Sequence, residues 1–250
     1  MAPGRRARGD HSQEFVSHEF VGGAVGVRRV AGLAVLATLL GGAAPPPARA
    51  DGPRECVTIE DFAHATAGGF PPGWQPRADE GKRLYTVVEE PGRRFLRAVV
   101  RGFGIQAARP HEWDLAAYPV LTWSWRVREF PRGADERAAA TNDSAVAVYV
   151  LVAYSRFVGP RALKYVWSEK VPADTHLSSN HGLTQVRVLR SGADRKGEWV
   201  EERVDLLADW RKLFEEGGTP RPAGIAVLTD SDDTRSSARG DYAAFRACRG

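Results

Sequence analysis

A chain of 250 residues with 43% hydrophobic and 26% charged side chains has the composition of an ordinary globular protein, which excludes disorder over most of its length. Its formal charge of +4 belongs mainly to one end: residues 1–50 hold six arginines against Asp10, Glu14 and Glu19, leaving +1 for the remainder. No basic stripe with interleaved aromatics replaces that charge, which argues against nucleic-acid binding.

The first predicted element is not part of the fold. Arg28 and Arg29 precede the apolar run Val30–Leu40, which is too short to span a bilayer and suits the core of an export signal. Glycines and prolines follow, then Ala48-Arg49-Ala50, a small-x-small cleavage pattern. Residues 1–50 are therefore read as a leader and signal peptide, and 51–250 as a single exported domain, periplasmic or secreted, with no membrane span left after cleavage. An uncleaved anchor would need a longer apolar run.

From Val57 onward, short runs rich in Val, Ile, Tyr and Trp alternate with Gly/Pro/Asp clusters, the pattern of an all-β, jelly-roll-like two-sheet sandwich. Candidate strands are Val57–Phe62, Arg83–Val88, Phe95–Arg101, Gly104–Ala108, Val120–Val127 and Ser144–Ala153. They continue with Ala162–Ser168, Thr184–Arg190, Trp199–Val204, Gly224–Leu228 and Tyr242–Arg246. Ser144–Ala153 is apolar on both faces and so is expected at the centre of a sheet. Arg132–Thr141 reads as a mobile polar loop. One segment has helical spacing: Leu206, Leu207, Trp210, Leu213 and Phe214 follow Asp205, whose carboxylate can cap the first turn. A short amphipathic helix is expected over about 206–215. The two cysteines, Cys56 and Cys248, stand near opposite ends of the exported chain, and in an oxidising compartment they suggest a disulfide joining the first strand to the last. Unpaired thiols are the alternative.

Candidate functional residues come from polar positions on otherwise apolar strands. In Val120–Val127, Leu121, Trp123, Trp125 and Val127 face one way, and shared packing favours core over a sugar-stacking platform for the two tryptophans. Thr122, Ser124 and Arg126 face the other way and could floor a groove. Lys164 and Arg187 are comparable mid-strand charges, for which an ordinary solvated face is the alternative. The most informative stretch is Ala223–Thr234, an apolar run ending in Asp230, Asp232 and Asp233. Carboxylates crowded so closely repel one another unless a cation, a basic partner or backbone N–H groups compensate. Asp230 and Asp232 are hard oxygen ligands suited to Ca2+, although an EF-hand fails because Arg235 stands where its loop needs glycine. An Asx-rich turn, in which Asp232 and Asp233 accept backbone N–H bonds, competes with the cation. His176 and His181 read as solvated loop histidines.

Several blocks together resemble a known family: Leu121-x-Trp123-x-Trp125-Arg126-Val127, Asn142-Asp143 before an apolar strand, and Leu163-x-Tyr165-Val166-Trp167. Gly197-x-Trp199-Val200-x-Glu202-Arg203-Val204 and Gly224–Thr234 extend the likeness. The sequence is similar to the bacterial family catalogued as domain of unknown function 3047, with Asp233 standing where the family pattern has Asn. The resemblance implies an exported jelly-roll-like domain similar in outline to carbohydrate-binding modules, and no established activity.

Three functions follow as expectations. The first is binding of a glycan or cell-envelope component through Arg126, Lys164, Arg187 and Asp230, with Ca2+ at Asp230 and Asp232. The second is a glycoside-hydrolase-like enzyme using two of Asp143, Glu202 and Asp230. The third is a structural envelope protein. Export itself has a direct check: the intact mass of protein recovered outside the cytoplasm should place Asp51 at the N-terminus, and any other mature start rejects the cleavage assignment.

Overall fold

The computed structural model describes residues 55–250; the leader and its cleavage site lie outside the described residues. In chain order the strands are β1 (Cys56–Glu60), β2 (Gln75–Pro76), β3 (Tyr85–Glu90), β4 (Arg93–Arg101), β5 (Ala107–Pro110) and β6 (Val120–Glu129). They continue as β7 (Ala147–Ser155), β8 (Gly159–Ser168), β9 (His176–Ser179), β10 (Thr184–Ser191), β11 (Val200–Asp205), β12 (Pro222–Leu228) and β13 (Ser237–Cys248). One sheet, here sheet A, has the order β11-β6-β13-β4-β3 with β1 also on β13; sheet B has the order β2-β5-β12-β7-β8-β10-β9. The two sheets stack as the all-β, jelly-roll-like sandwich expected from the sequence. The pairings are antiparallel except β8 with β10, which run parallel. β7 takes the middle of sheet B, as its two apolar faces require.

Strand alternation builds the core. Leu121, Trp123, Trp125 and Val127 of β6 are fully buried between the sheets, so the tryptophans serve packing rather than sugar stacking. They meet Tyr165 and Trp167 of β8, with Trp123 5.6 Å from Tyr165 and Trp125 6.3 Å from Trp167 between ring centroids. Val148, Val150, Ile225 and Val227 complete the layer. The helix α1 spans Leu206–Leu213, and Asp205 caps it by accepting a bond from the Ala208 N–H at 2.9 Å. It packs on β6 and β11, its Leu206 and Trp210 joining the core.

Sheet A also closes the chain covalently. Cys56 and Cys248 face each other in the β1–β13 ladder and form a disulfide across 192 residues of sequence. A bond of this kind fits an oxidising compartment. Among the described residues no helix is long and apolar enough to cross a membrane.

Closing so long a loop restricts the unfolded chain far more than the folded one. Replacing both cysteines by serine should lower the unfolding free energy by ~3–5 kcal/mol in urea titration; a loss under ~1 kcal/mol would mean that strand pairing already holds the two ends together.

Candidate functional site

The site is built where β12 runs out. Beyond Leu228 the chain stays extended, and Asp230 forms an isolated bridge with Gly104. Only glycine fits at that crossing, because a Cβ on Gly104 would lie 2.3 Å from the Cβ of Asp230. Asp230 then locks onto the segment entering β7: its N–H donates to the Ser144 carbonyl at 3.0 Å, and its Oδ1 accepts the Ser144 N–H at 2.6 Å. Beneath it, Thr229 Oγ1 donates to the Ala145 carbonyl at 2.8 Å.

The following turn is tied by a carboxylate from elsewhere. Asp143 accepts from the N–H of Asp233 at 3.2 Å, the N–H of Thr234 at 2.8 Å and the Thr234 hydroxyl at 2.5 Å. The turn that carries Asp232 and Asp233 is thus held by a carboxylate from outside it. The result is a cluster of Asp143, Asp230 and Asp232 with one carboxylate oxygen from each within 4.8 Å of the others. Burial pushes the Asp230 carboxyl up to about 8, and the charges of Asp143 and Asp232 add to that; Lys164 and the Ser144 N–H work against it.

Lys164 lies on the same outer face of sheet B. Across that face Ala226 of β12, Tyr149 of β7, Lys164 of β8 and Val186 of β10 stand in register. The adjoining row, Leu228, Ala147, Val166 and Val188, is apolar and buried in a second hydrophobic cluster. Lys164 is only 5% exposed and Asp230 only 3%. Burial alone would lower the ammonium, but Tyr149, Asp230 and Glu136 outweigh it and hold Lys164 at about 12. Its Nζ sits 5.5 Å from the Tyr149 ring centroid. Glu136 comes from the polar loop before β7, which is bonded down here: its carboxylate accepts the Ser168 hydroxyl at 2.5 Å, and burial raises its pKa.

The other sequence-predicted residues go elsewhere. Arg126 lies on the outer face of sheet A, where Asp241 accepts bonds from Arg97, Arg126 and Arg128, the shortest N–O separations being 2.8, 2.7 and 3.1 Å. Arg187 bonds Asp209 of α1 at 3.0 Å and Asp174 at 2.9 Å, clamping the helix. Glu202 points between the sheets, accepting from Trp125 Nε1 at 2.9 Å and pairing with Arg190. Thus Asp143, Asp230 and Asp232 cluster, with Lys164 near enough to act on Asp230, while Arg126, Arg187 and Glu202 occupy three separate networks. Tyr149 and Glu136 are the members that sequence reasoning missed; the register opposite Lys164 is the only signal that points to Tyr149, and it requires the strand pairing.

A family model described as "Protein of unknown function (DUF3047)" matches residues 72–246, covering β2–β13 apart from the last two residues of β13. The chain belongs to this family. No curated protein matches the DUF3047 member in sequence. Its fold is similar in outline to TmCBM61, solved in complex with β-1,4-galactotriose, at 14% identity and a TM-score of 0.37, covering 76% of this chain and 94% of that one. It is also similar to the xyloglucanase domain of NopAA, a type three effector from Sinorhizobium fredii in complex with cellobiose, at 12% identity and a TM-score of 0.37, covering 75% and 100%. A third likeness is to a cellulase derived from Cel12A of Rhodothermus marinus, at 12% identity and a TM-score of 0.37, covering 70% and 96%.

The raised Asp230 pKa carries a sign. The folded protein keeps a proton on Asp230 between about pH 4 and 8, where an unfolded aspartate has lost it, so this group's contribution to stability falls as pH rises through that window. In chelator, Asp230→Asn should therefore flatten the decline in unfolding free energy between pH 5 and pH 8.5 by at least ~1 kcal/mol. Parallel pH profiles for the variant and the parent protein would remove Asp230 as the buried acid.

Proposed function

We propose that this DUF3047 member is an exported, single-domain binding protein for a glycan or cell-envelope component, which it takes on the outer face of sheet B. Lys164 and Asp230 are the polar contacts in this reading, and Asp143, Asp230 and Asp232 hold a calcium ion beside them. One observation carries it: a lysine and a carboxylic acid are buried on an otherwise apolar outer sheet face, although packing that face would need neither. Buried charge of this kind is costly and concentrates at functional sites. Three hard oxygen donors from two neighbouring segments suit Ca2+, and the cation would supply the positive charge that the cluster lacks. Arg126 and Arg187 drop out of the contact set because both are committed to carboxylates of their own. The disulfide supports export.

A second reading, acid–base catalysis, is favoured by the same Asp230. A carboxyl that keeps its proton near neutrality, beside the carboxylate of Asp143, is the chemistry of a general acid paired with a base. Glu202 has no part in it, since its carboxylate is held between the sheets.

A glycan array probed with and without calcium separates these readings. Calcium-dependent binding to a neutral or envelope-derived glycan is expected, weakened ~10-fold or more by Lys164→Ala and by Asp230→Asn, with circular dichroism confirming that both variants fold. New reducing ends on a bound glycan would favour the enzyme. A protein that binds nothing under either condition would instead be a structural envelope component.

A further inference from the structure

A pocket on the opposite sheet opens where β13 changes partners. β13 pairs with β4 from Ser237 to Tyr242 and with β1 from Phe245 to Cys248, so Ala243 and Ala244 pair with neither. On the other side the register with β6 also shifts between Ala243 and Arg246. Ala244 adopts φ +55°, a left-handed conformation that costs a non-glycine residue about 1 kcal/mol or more. This interruption leaves a pocket of about 510 Å³, lined by Ala243 and Ala244 together with Asp61, Glu90, Arg93 and Arg246.

The lining has a definite chemistry. Glu90 is spoken for by Arg126 at 2.9 Å and Arg128 at 3.4 Å, and Glu89 and Arg94 at the rim neutralise each other. Arg93 and Arg246 form no ion pair among the described residues. Arg93 stacks over Trp199 at 4.5 Å, and its Nη1 is buried without a hydrogen-bond partner. Arg246 is exposed. Among the described residues Asp61 has no cationic partner, and it spends one oxygen on the Ala63 N–H. Two guanidiniums and one carboxylate without an ion pair among the described residues, with only alanine and glycine between the charged groups, match a small polyhydroxylated anion. They offer nothing to a lipid chain or a flat aromatic.

We infer that this pocket binds a carboxylated sugar, its carboxylate held by Arg93 and Arg246 and its hydroxyls by Asp61. Guanidinium–carboxylate pairs of this kind are short, directional and charge-assisted. The volume suits one or two sugar rings, within the range of small-ligand sites. The inference does not depend on the sheet B site, because the two lie on outward faces of different sheets.

Titration calorimetry at pH 7 with digalacturonate and galactobiose tests it. Digalacturonate should bind and galactobiose should bind at least ~10-fold more weakly, since the lost carboxylate leaves charged donors unpaired. Arg246→Ala, at an exposed position and checked for folding by circular dichroism, should weaken digalacturonate by a similar factor. Lys212→Ala, at an exposed position on α1 and outside both sites, should leave digalacturonate binding unchanged. Equal affinity for the two disaccharides, binding of neither, or no response to Arg246→Ala would each overturn the assignment.

Discussion

The hydroxyl of Tyr242 holds the two sheets at the distance on which the candidate site depends. It projects from β13 of sheet A into sheet B, donating to the Leu228 carbonyl at 2.7 Å, accepting the Ala147 N–H at 3.3 Å and meeting Thr229 Oγ1 at 2.8 Å. Those three partners belong to the two segments that present Asp230 and Asp143. Two residues earlier the backbones nearly touch: a Cβ on Gly240 would lie 2.4 Å from Val146 Cγ1 and 2.5 Å from the Ala145 carbonyl. A buried polar junction of this kind is costly unless every member is satisfied, and satisfied it fixes geometry that apolar contacts would leave free to slide. The acidic cluster is thus set on a rigid base, although one of its members, Asp232, lies in a turn.

The molecule treats its buried carboxylates in two ways. Asp241, Glu202 and Asp209 are each met by at least one arginine within ordinary ion-pair distance. Two of them also gain a neutral donor, Trp125 Nε1 for Glu202 and the Tyr165 hydroxyl for Asp209. Desolvation is offset at each, and their roles are structural: one strengthens the centre of sheet A, one ties β11 to β10, and one clamps α1. Among the described residues no arginine pairs with Asp230. It faces two further carboxylates, and Lys164 acts on it as a charge across the sheet face rather than as a bonded partner. This contrast with the molecule's own habit, more than burial alone, is what supports the proposal that Asp230 serves function.

How much of this was legible in the sequence follows from what each signal measures. Alternation along β6 put Trp123 and Trp125 in the core, and the Asp205 cap with its apolar spacing located α1 within two residues of its end. Both signals are local. Alternation assigns a side chain to a face, but it does not say which sheet the strand joins or what covers the face. Arg126, Lys164 and Arg187 therefore looked alike, and only long-range pairing sends one to the outside of sheet A, one to the outside of sheet B and one under a helix. The bulge at Ala243–Ala244 was equally hidden, since two alanines carry no turn signal, and its cause is the exchange of β4 for β1 along a strand twelve residues long.

Asp143 shows how pairing also adds roles. Read in sequence, Asp232 and Asp233 are the residues placed to satisfy their own turn, and Asp143 is a polar residue before a strand. In the fold Asp143 spends its oxygens on the turn's N–H groups and the Thr234 hydroxyl, so the turn is held from across the site. The cluster's geometry is then fixed whether or not its charge is balanced, and the imbalance falls on Asp230, a buried carboxyl that accepts the Ser144 N–H where Asp143 accepts three donors. A proton and a bound cation are alternative ways to relieve it. Under the calcium reading the two compete for one carboxylate: acid drives the cation out, and the cation lowers the pH at which Asp230 ionises. The buried acid and the metal site are in that case two states of one arrangement.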